Sequence, residues 1–121
     1  MRNLTLILLI CVSFAAHAGD KKGNFAVWGP GVKSCFSYTS ARKAEKYDAY
    51  KYFIMGYLTA YNTLTPDTYR ISGNDRFIDV MKWLDDYCQK QPVHGFEQAV
   101  NDYVVHHQDS RLSEPPPTHG R

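Results

Sequence analysis

The sequence predicts an all-α protein: a small four-helix domain with one disulfide, preceded by a signal peptide and followed by a disordered Pro-rich tail. Apolar residues recur at three- and four-residue steps in successive segments, which is the period of a helical face. Glycine or proline separates those segments, and no alternating run longer than a few residues reads as a strand. Two cysteines, Cys35 and Cys88, fall on two of the helical segments, where a bond between them would pin the first helix to the third.

Arg2 gives the N-terminus a positive charge, and the stretch 4–16 (LTLILLICVSFAA) carries none. Ala16-His17-Ala18 has the small-x-small pattern that signal peptidase needs, so residues 1–18 are expected to be a cleavable signal. An apolar run of roughly 13 residues is too short to cross about 30 Å of hydrocarbon, which takes roughly 20, so no membrane insertion is expected after cleavage. A lipobox is missing too, because Ile10 stands before Cys11 where a small residue is required. Cleavage after Ala18 leaves 103 of the 121 residues, enough for one domain with one modest core. It also removes Arg2, so that thirteen basic residues face twelve acidic ones and the net charge is +1. A nearly neutral chain with interspersed signs argues against nucleic acid as a partner. Cys11 leaves with the signal. The remaining pair, in an oxidising compartment, points to one disulfide. Closing a loop of about 53 residues stabilises a domain by ~4 kcal/mol in the chain-entropy account, a large share of the total for one this small.

Residues 19–31 (GDKKGNFAVWGPG) hold too much glycine and charge for a helix. They read as a flexible leader ending in a turn, with Trp28 expected to tuck its ring against the domain. The helical domain follows over 32–106, and its first helix, over 34–42, can start on Ser34 as N-cap. Over 44–64, Tyr47, Tyr50, Ile54, Tyr57, Leu58 and Tyr61 share one face. Tyr52, Phe53 and Met55 widen that stripe and predict a central helix, which Pro66 ends because proline cannot continue the ladder. A loop over 68–74 offers Ser72 or Asn74 as the next cap. The third helix, over 75–91, turns Phe77, Met81, Leu84 and Cys88 inward beside Val80 and Tyr87. Asp79, Lys82, Asp85, Asp86 and Gln89 fall largely on its outer face, and Pro92 closes it. A fourth helix over 95–106 buries Phe96, Ala99, Val100, Tyr103 and Val104. The tail, 107–121, has no apolar period and contains Pro115-Pro116-Pro117, so it reads as disordered or extended.

No constellation reads as a catalytic or metal centre, and no cofactor is expected. His106 and His107 are neighbours on a helix, where side chains point about 100° apart and do not converge on one ion. Asp85 and Asp86 diverge in the same way and read as a solvated helix face. Ser34, His94 and Asp79 make a triad only on paper, with no nucleophile elbow. The tyrosines are more informative. Of nine, seven lie between Tyr38 and Tyr69. Most read as core or boundary residues, but several together could line an interface, where tyrosine supplies rigid contact area. Tyr50, Tyr57, Tyr61 and Tyr69 are the candidates for partner contact.

Several stretches also carry a resemblance. Trp28-Gly29-Pro30-Gly31, Ser34-Cys35, Met55-Gly56-Tyr57-Leu58-Thr59-Ala60-Tyr61-Asn62, and Trp83-Leu84-Asp85-Asp86-Tyr87-Cys88 with Pro92 resemble a group of small exported bacterial proteins. Their pattern is W-G-x-G-x-x-S-C-G, then G-Y-L-x-A-Y-N, then W-L-D-x-Y-C-x-x-x-P. Phe36 departs from it, standing where the pattern has glycine after the first cysteine. More remotely, the layout is similar to the periplasmic acid chaperone HdeA and to the Tai-type immunity proteins that block secreted amidases. The resemblance implies a small helical fold and a periplasmic or secreted location. Because sites rather than folds carry function, it implies neither activity by itself.

These readings favour an exported binding protein without enzymatic activity, of immunity or inhibitor type, with another protein or a second copy of itself as partner. The loop 65–74 would serve as a wedge. An acid-stress chaperone is the alternative. Protonating 12 carboxylates and the four histidines left after cleavage would take the mature chain to about +17, and self-repulsion of that size loosens a small domain. A cell-wall hydrolase would need a convergent acid–base pair in a cleft and is disfavoured.

Overall fold

A computed structural model describes residues 18–117; the expected signal peptide, apart from Ala18, lies outside them, as does the end of the tail. Four α-helices run through the described residues: α1 (Cys35–Lys43), α2 (Asp48–Leu64), α3 (Phe77–Lys90) and α4 (Phe96–His107). Short 3-10 turns at Gly29–Val32 and Gln108–Ser110 flank them. Among the described residues the only strand-like pairing is two isolated bridges, Ser34 with Gly95 and Arg70 with Leu112. The architecture is all-helical, as the apolar spacing predicts.

Two of the helices begin by satisfying one another. The Cys35 N–H donates to the His94 carbonyl and the Phe96 N–H to that of Lys33, both at 2.8 Å. The first-turn donors that a helix leaves unpaired are thus placed on the chain leading into the other helix. Ser34 is the N-cap of α1, its Oγ accepting the Ser37 N–H at 3.2 Å.

The other two starts differ from expectation. The apolar period carries the second helix back to residue 44, yet α2 opens at Asp48. Glu45 is the reason: its φ is +54°, and the N–H groups of Glu45 and Lys46 donate to the Arg42 and Ala41 carbonyls at 3.1 and 3.0 Å. That pair of bonds closes α1 through a left-handed residue and redirects the chain. Likewise, neither Ser72 nor Asn74 caps α3. Arg76 holds the cap position, and the Asp79 carboxylate accepts its backbone N–H at 3.0 Å and its guanidinium at 3.1 Å. The guanidinium and backbone bonds hold the Asp79 carboxyl below the usual carboxylate range.

The core places α4, not α2, at the centre. α4 packs on α1, α2 and α3, and Phe96, Ala99, Val100, Tyr103 and Val104 are all buried. Small Ala99 and Val100 let three neighbours approach, whereas α2 leaves Tyr52 and Met55 in water on its outer side. Tyr38, Tyr50 and Phe96 form the aromatic centre. Tyr38 stacks on Phe96 with centroids 4.5 Å apart, and Tyr50 meets both edge-on at 5.4 and 4.9 Å. Beside them Cys35 and Cys88 are joined as a disulfide, Sγ to Sγ 2.07 Å, both out of contact with solvent. It ties α1 to α3, the pairing expected of the two cysteines.

The domain also continues past residue 106, where the sequence reading ended it. His107 is still in α4, and Leu112 exchanges two 3.0 Å backbone bonds with Arg70. The Arg111 guanidinium reaches the Asp67 and Gln108 carbonyls at 3.1 and 2.7 Å. Gly73, at φ +58°, permits this closure, because a Cβ there would fall on the Ser110 carbonyl. Main-chain bonds hold this segment without a buried apolar face, so hydrophobic periodicity carried no trace of it.

Candidate functional site

The leader is less free than its composition suggests. The Asp20 carboxylate accepts the backbone N–H groups of Lys22 and Asn24 at 2.8 and 2.9 Å, and the Asp20 N–H donates to the Asn24 carbonyl at 2.8 Å. These bonds to Asn24 and Lys22 lower the Asp20 carboxyl below its ordinary value and knot residues 20–24 into a turn. Residues 25–28, which form no helix or turn, then run as a strap into the Gly29–Val32 turn, which packs on α2 and α4. Gly31 makes that docking feasible. It is buried, and a Cβ there would overlap the Phe53 ring and the Val27 side chain.

This anchoring has a consequence for Trp28, whose ring was expected to tuck against the domain. Backbone at Gly31, rather than the indole, presses on α2, and Trp28 stays 83% exposed. Phe25 at 64% and Tyr52 at 65% stand in water on the same site. Together the strap and two helices enclose a groove of about 940 Å³. Phe25 and Trp28 form one wall together with Ala18 and Gly19 on either side of the expected cleavage point, Tyr52, Phe53, Gly56 and Tyr57 of α2 the floor, and Glu97, Gln98 and Asn101 of α4 the far side. Size and lining fit a ligand cleft, in which mostly apolar walls surround a few polar groups. Among the described residues Glu97 is the only charged side chain in it. The Tyr57 hydroxyl lies 3.3 Å from both Glu97 Oε1 and Asn101 Oδ1, so its single proton is shared between them. Burial, reinforced by the Glu97 charge, pushes that hydroxyl up to about 12.

The four tyrosines singled out in the sequence do not form one face. Tyr57 lines the groove, whereas Tyr50 is buried against Tyr38 and Phe96. Tyr61 is half-buried and donates to Gln108 Oε1 at 2.5 Å. Tyr69 is exposed, on the loop that pairs with Leu112. Spacing on α2 was a fair guide to Tyr57 and its neighbours Tyr52 and Phe53. No local signal could have joined Phe25, Trp28 and Glu97 to them, because the strap and α4 meet α2 only through the fold.

Much of the polar chemistry among the described residues is paired internally, Thr39 Oγ1 being buried without a partner. Four tyrosine hydroxyls donate to acids on other segments: Tyr38 to Asp85 (2.8 Å), Tyr57 to Glu97, Tyr87 to Asp102 (2.6 Å) and Tyr103 to Asp75 (3.0 Å). Asp85, expected on a solvated face, also takes Arg42 bidentately at 2.9 and 2.7 Å. Burial and the Asp85 bond raise the Tyr38 hydroxyl far above the ordinary tyrosine range. The paper triad never assembles. Ser34 bonds Ser37, His94 Nδ1 lies 2.7 Å from the Tyr87 hydroxyl, and Asp79 holds Arg76. His107 Nδ1 donates to the Tyr103 carbonyl at 2.8 Å, and its Nε2 lies 3.3 Å from Asp75 Oδ2. Among the described residues no group of three His, Cys, Asp or Glu could hold a metal ion, and no helix is long and apolar enough to cross a membrane. No family model, curated protein or solved structure matches the chain.

Proposed function

We propose that the protein is an exported binding protein, without enzymatic activity, that holds a partner protein in the groove between the strap, α2 and α4. One observation carries the reading: three large aromatic rings, Phe25, Trp28 and Tyr52, stand in water around one concave site. Keeping such rings solvated is unfavourable, and aromatic anchors are what binding surfaces concentrate. The disulfide suits an oxidising compartment, periplasmic or extracellular. The resemblance to immunity proteins of the Tai type agrees, since such proteins act by capture. A photo-crosslinking residue at position 52, in cells exporting the full chain, should trap one stoichiometric partner. The Gly56→Leu change, which fills the floor, should abolish the adduct. No adduct, or the same adducts from a crosslinker at position 86, would sink the reading; an adduct of twice the chain's mass would identify the partner as a second copy.

The tyrosine–carboxylate bonds favour a second reading, an acid-stress chaperone. Each joins separate segments through an ionised acid, and protonation turns a charge-assisted bond into a neutral one of about half the strength. Suppression of client aggregation at about pH 3, lost at neutral pH, would support it. Failure to suppress would remove it.

A further inference from the structure

The groove's electrostatics point to the chemistry of its occupant, an inference that rests on the binding reading above. We propose that it takes an extended peptide segment bearing a lysine or arginine, whose charge meets Glu97 while neighbouring apolar residues lie on Trp28, Phe25 and Tyr52.

Glu97 dictates the charge. Among the described residues no lysine or arginine side chain lines the groove and Glu97 makes no ion pair; cleavage after Ala18 would add one cation to the lining, the α-ammonium of Gly19. Its described hydrogen bond is the long, shared one from Tyr57. An occupant that displaces water must therefore compensate the carboxylate, because an ion desolvated without a partner is strongly unfavourable. An anion worsens this and a neutral hydrocarbon leaves it unrelieved. A cation relieves it and gains from the ring faces as well. The groove edge already shows that affinity: the Lys51 ammonium, tied to Asp48 at 3.0 Å, lies 5.5 Å from the Tyr52 ring centroid.

The strap dictates the shape. Residues 25–28 form no helix or turn, Trp28 has extended backbone (φ −112°, ψ 153°), and among the described residues their main-chain groups make no backbone hydrogen bond. Such a segment is a ready edge for a second extended chain, with side chains alternating into the groove. At about 940 Å³ the site is roomier than one side chain requires and lies near the top of the range for ligand clefts.

The test uses the mature chain with its disulfide intact and three blocked peptides, acetyl-Ser-Val-Lys-Val-Ser-amide and its Gln and Glu counterparts. Binding is followed by backbone amide shifts in NMR. The Lys peptide should perturb Val27, Gly56 and Asn101 and bind roughly tenfold more tightly than the Glu peptide, about 1.4 kcal/mol. In Glu97→Gln the preference for Lys over Gln should vanish. Trp28→Ala, at a solvated position, should weaken all three without altering the far-UV spectrum. Equal binding of the Glu peptide, a Lys preference that survives Glu97→Gln, shifts outside the groove, or no binding of any peptide would each overturn the proposal. The two readings fail separately. A crosslinked partner without charge preference leaves binding standing and removes this inference; charge-selective peptide binding without a cellular partner does the reverse.

Discussion

The side of the molecule built from α1 and α3 and the side where the strap, α2 and the start of α4 meet solve opposite problems with similar residues. On the first, Tyr38 is buried, its hydroxyl spent on Asp85, and Arg42, Cys35 and Cys88 complete a closed set of bonds. On the second, Phe25, Trp28 and Tyr52 remain solvated, and Glu97 has only half a tyrosine proton to accept. Aromatic residues are thus core on one side and surface on the other. The difference lies in whether a second element closes over them. Where charged groups and tyrosine hydroxyls pair with one another the structure is locked, and where a carboxylate is left open a ligand can complete it.

The largest effect should come from breaking the closed side. Replacing Cys35 and Cys88 together with alanine should lower unfolding free energy by about 4 kcal/mol, read as a urea midpoint shift. Asp85→Ala comes next, since it leaves the Tyr38 hydroxyl buried and Arg42 unpaired; about 2–3 kcal/mol of destabilisation is expected from the same measurement. A smaller loss than for a surface salt bridge would show that the two sides are less different than their bonding implies.

Alkali probes both sides at once. Tyr57 on the groove and Tyr87 on the closed side both have hydroxyls pushed up to about 12, chiefly by burial and then by Glu97 and Asp102. A folded value raised above the unfolded one stabilises the protein fully below about pH 10, and that stabilisation is lost as pH rises through 12. Phenolate absorbance from these two should therefore rise only late, together with loss of helix. A single ordinary transition with helix retained would count against the buried bonds.

The smallest effects belong to the open side. Gly56→Ala adds a Cβ that meets nothing, so helix propensity alone should stabilise by about 0.5–1 kcal/mol. Trp28→Ala should change stability by less than about 0.5 kcal/mol while removing partner binding. Should Trp28→Ala cost more, the ring is structural and the contrast between the two sides weakens.

Much of the helical layout was legible because burial imposes a period. Val80, Met81, Leu84 and Cys88 recur as a helix face whatever that face meets, and both α1 and α3 could be placed closely enough to pair their cysteines. The misplaced starts of α2 and α3 were set instead by single backbone events. Glu45 in a left-handed turn and Asp79 reaching back to Arg76 are local hydrogen-bond choices that leave the apolar pattern unchanged.

Sequence by itself therefore determined the helices, their inner faces and the disulfide, since each follows from local periodicity or from the count of cysteines. Only tertiary structure decided which aromatics are core and which are surface. Tyr50 and Tyr52 stand two residues apart on one helix, yet α4 covers the first and the strap leaves the second open. That outcome rests on Gly31, where a missing Cβ lets backbone lie on Phe53 and sends Trp28 outward. Contacts between segments distant in the chain have no local period, and the groove is made entirely of such contacts.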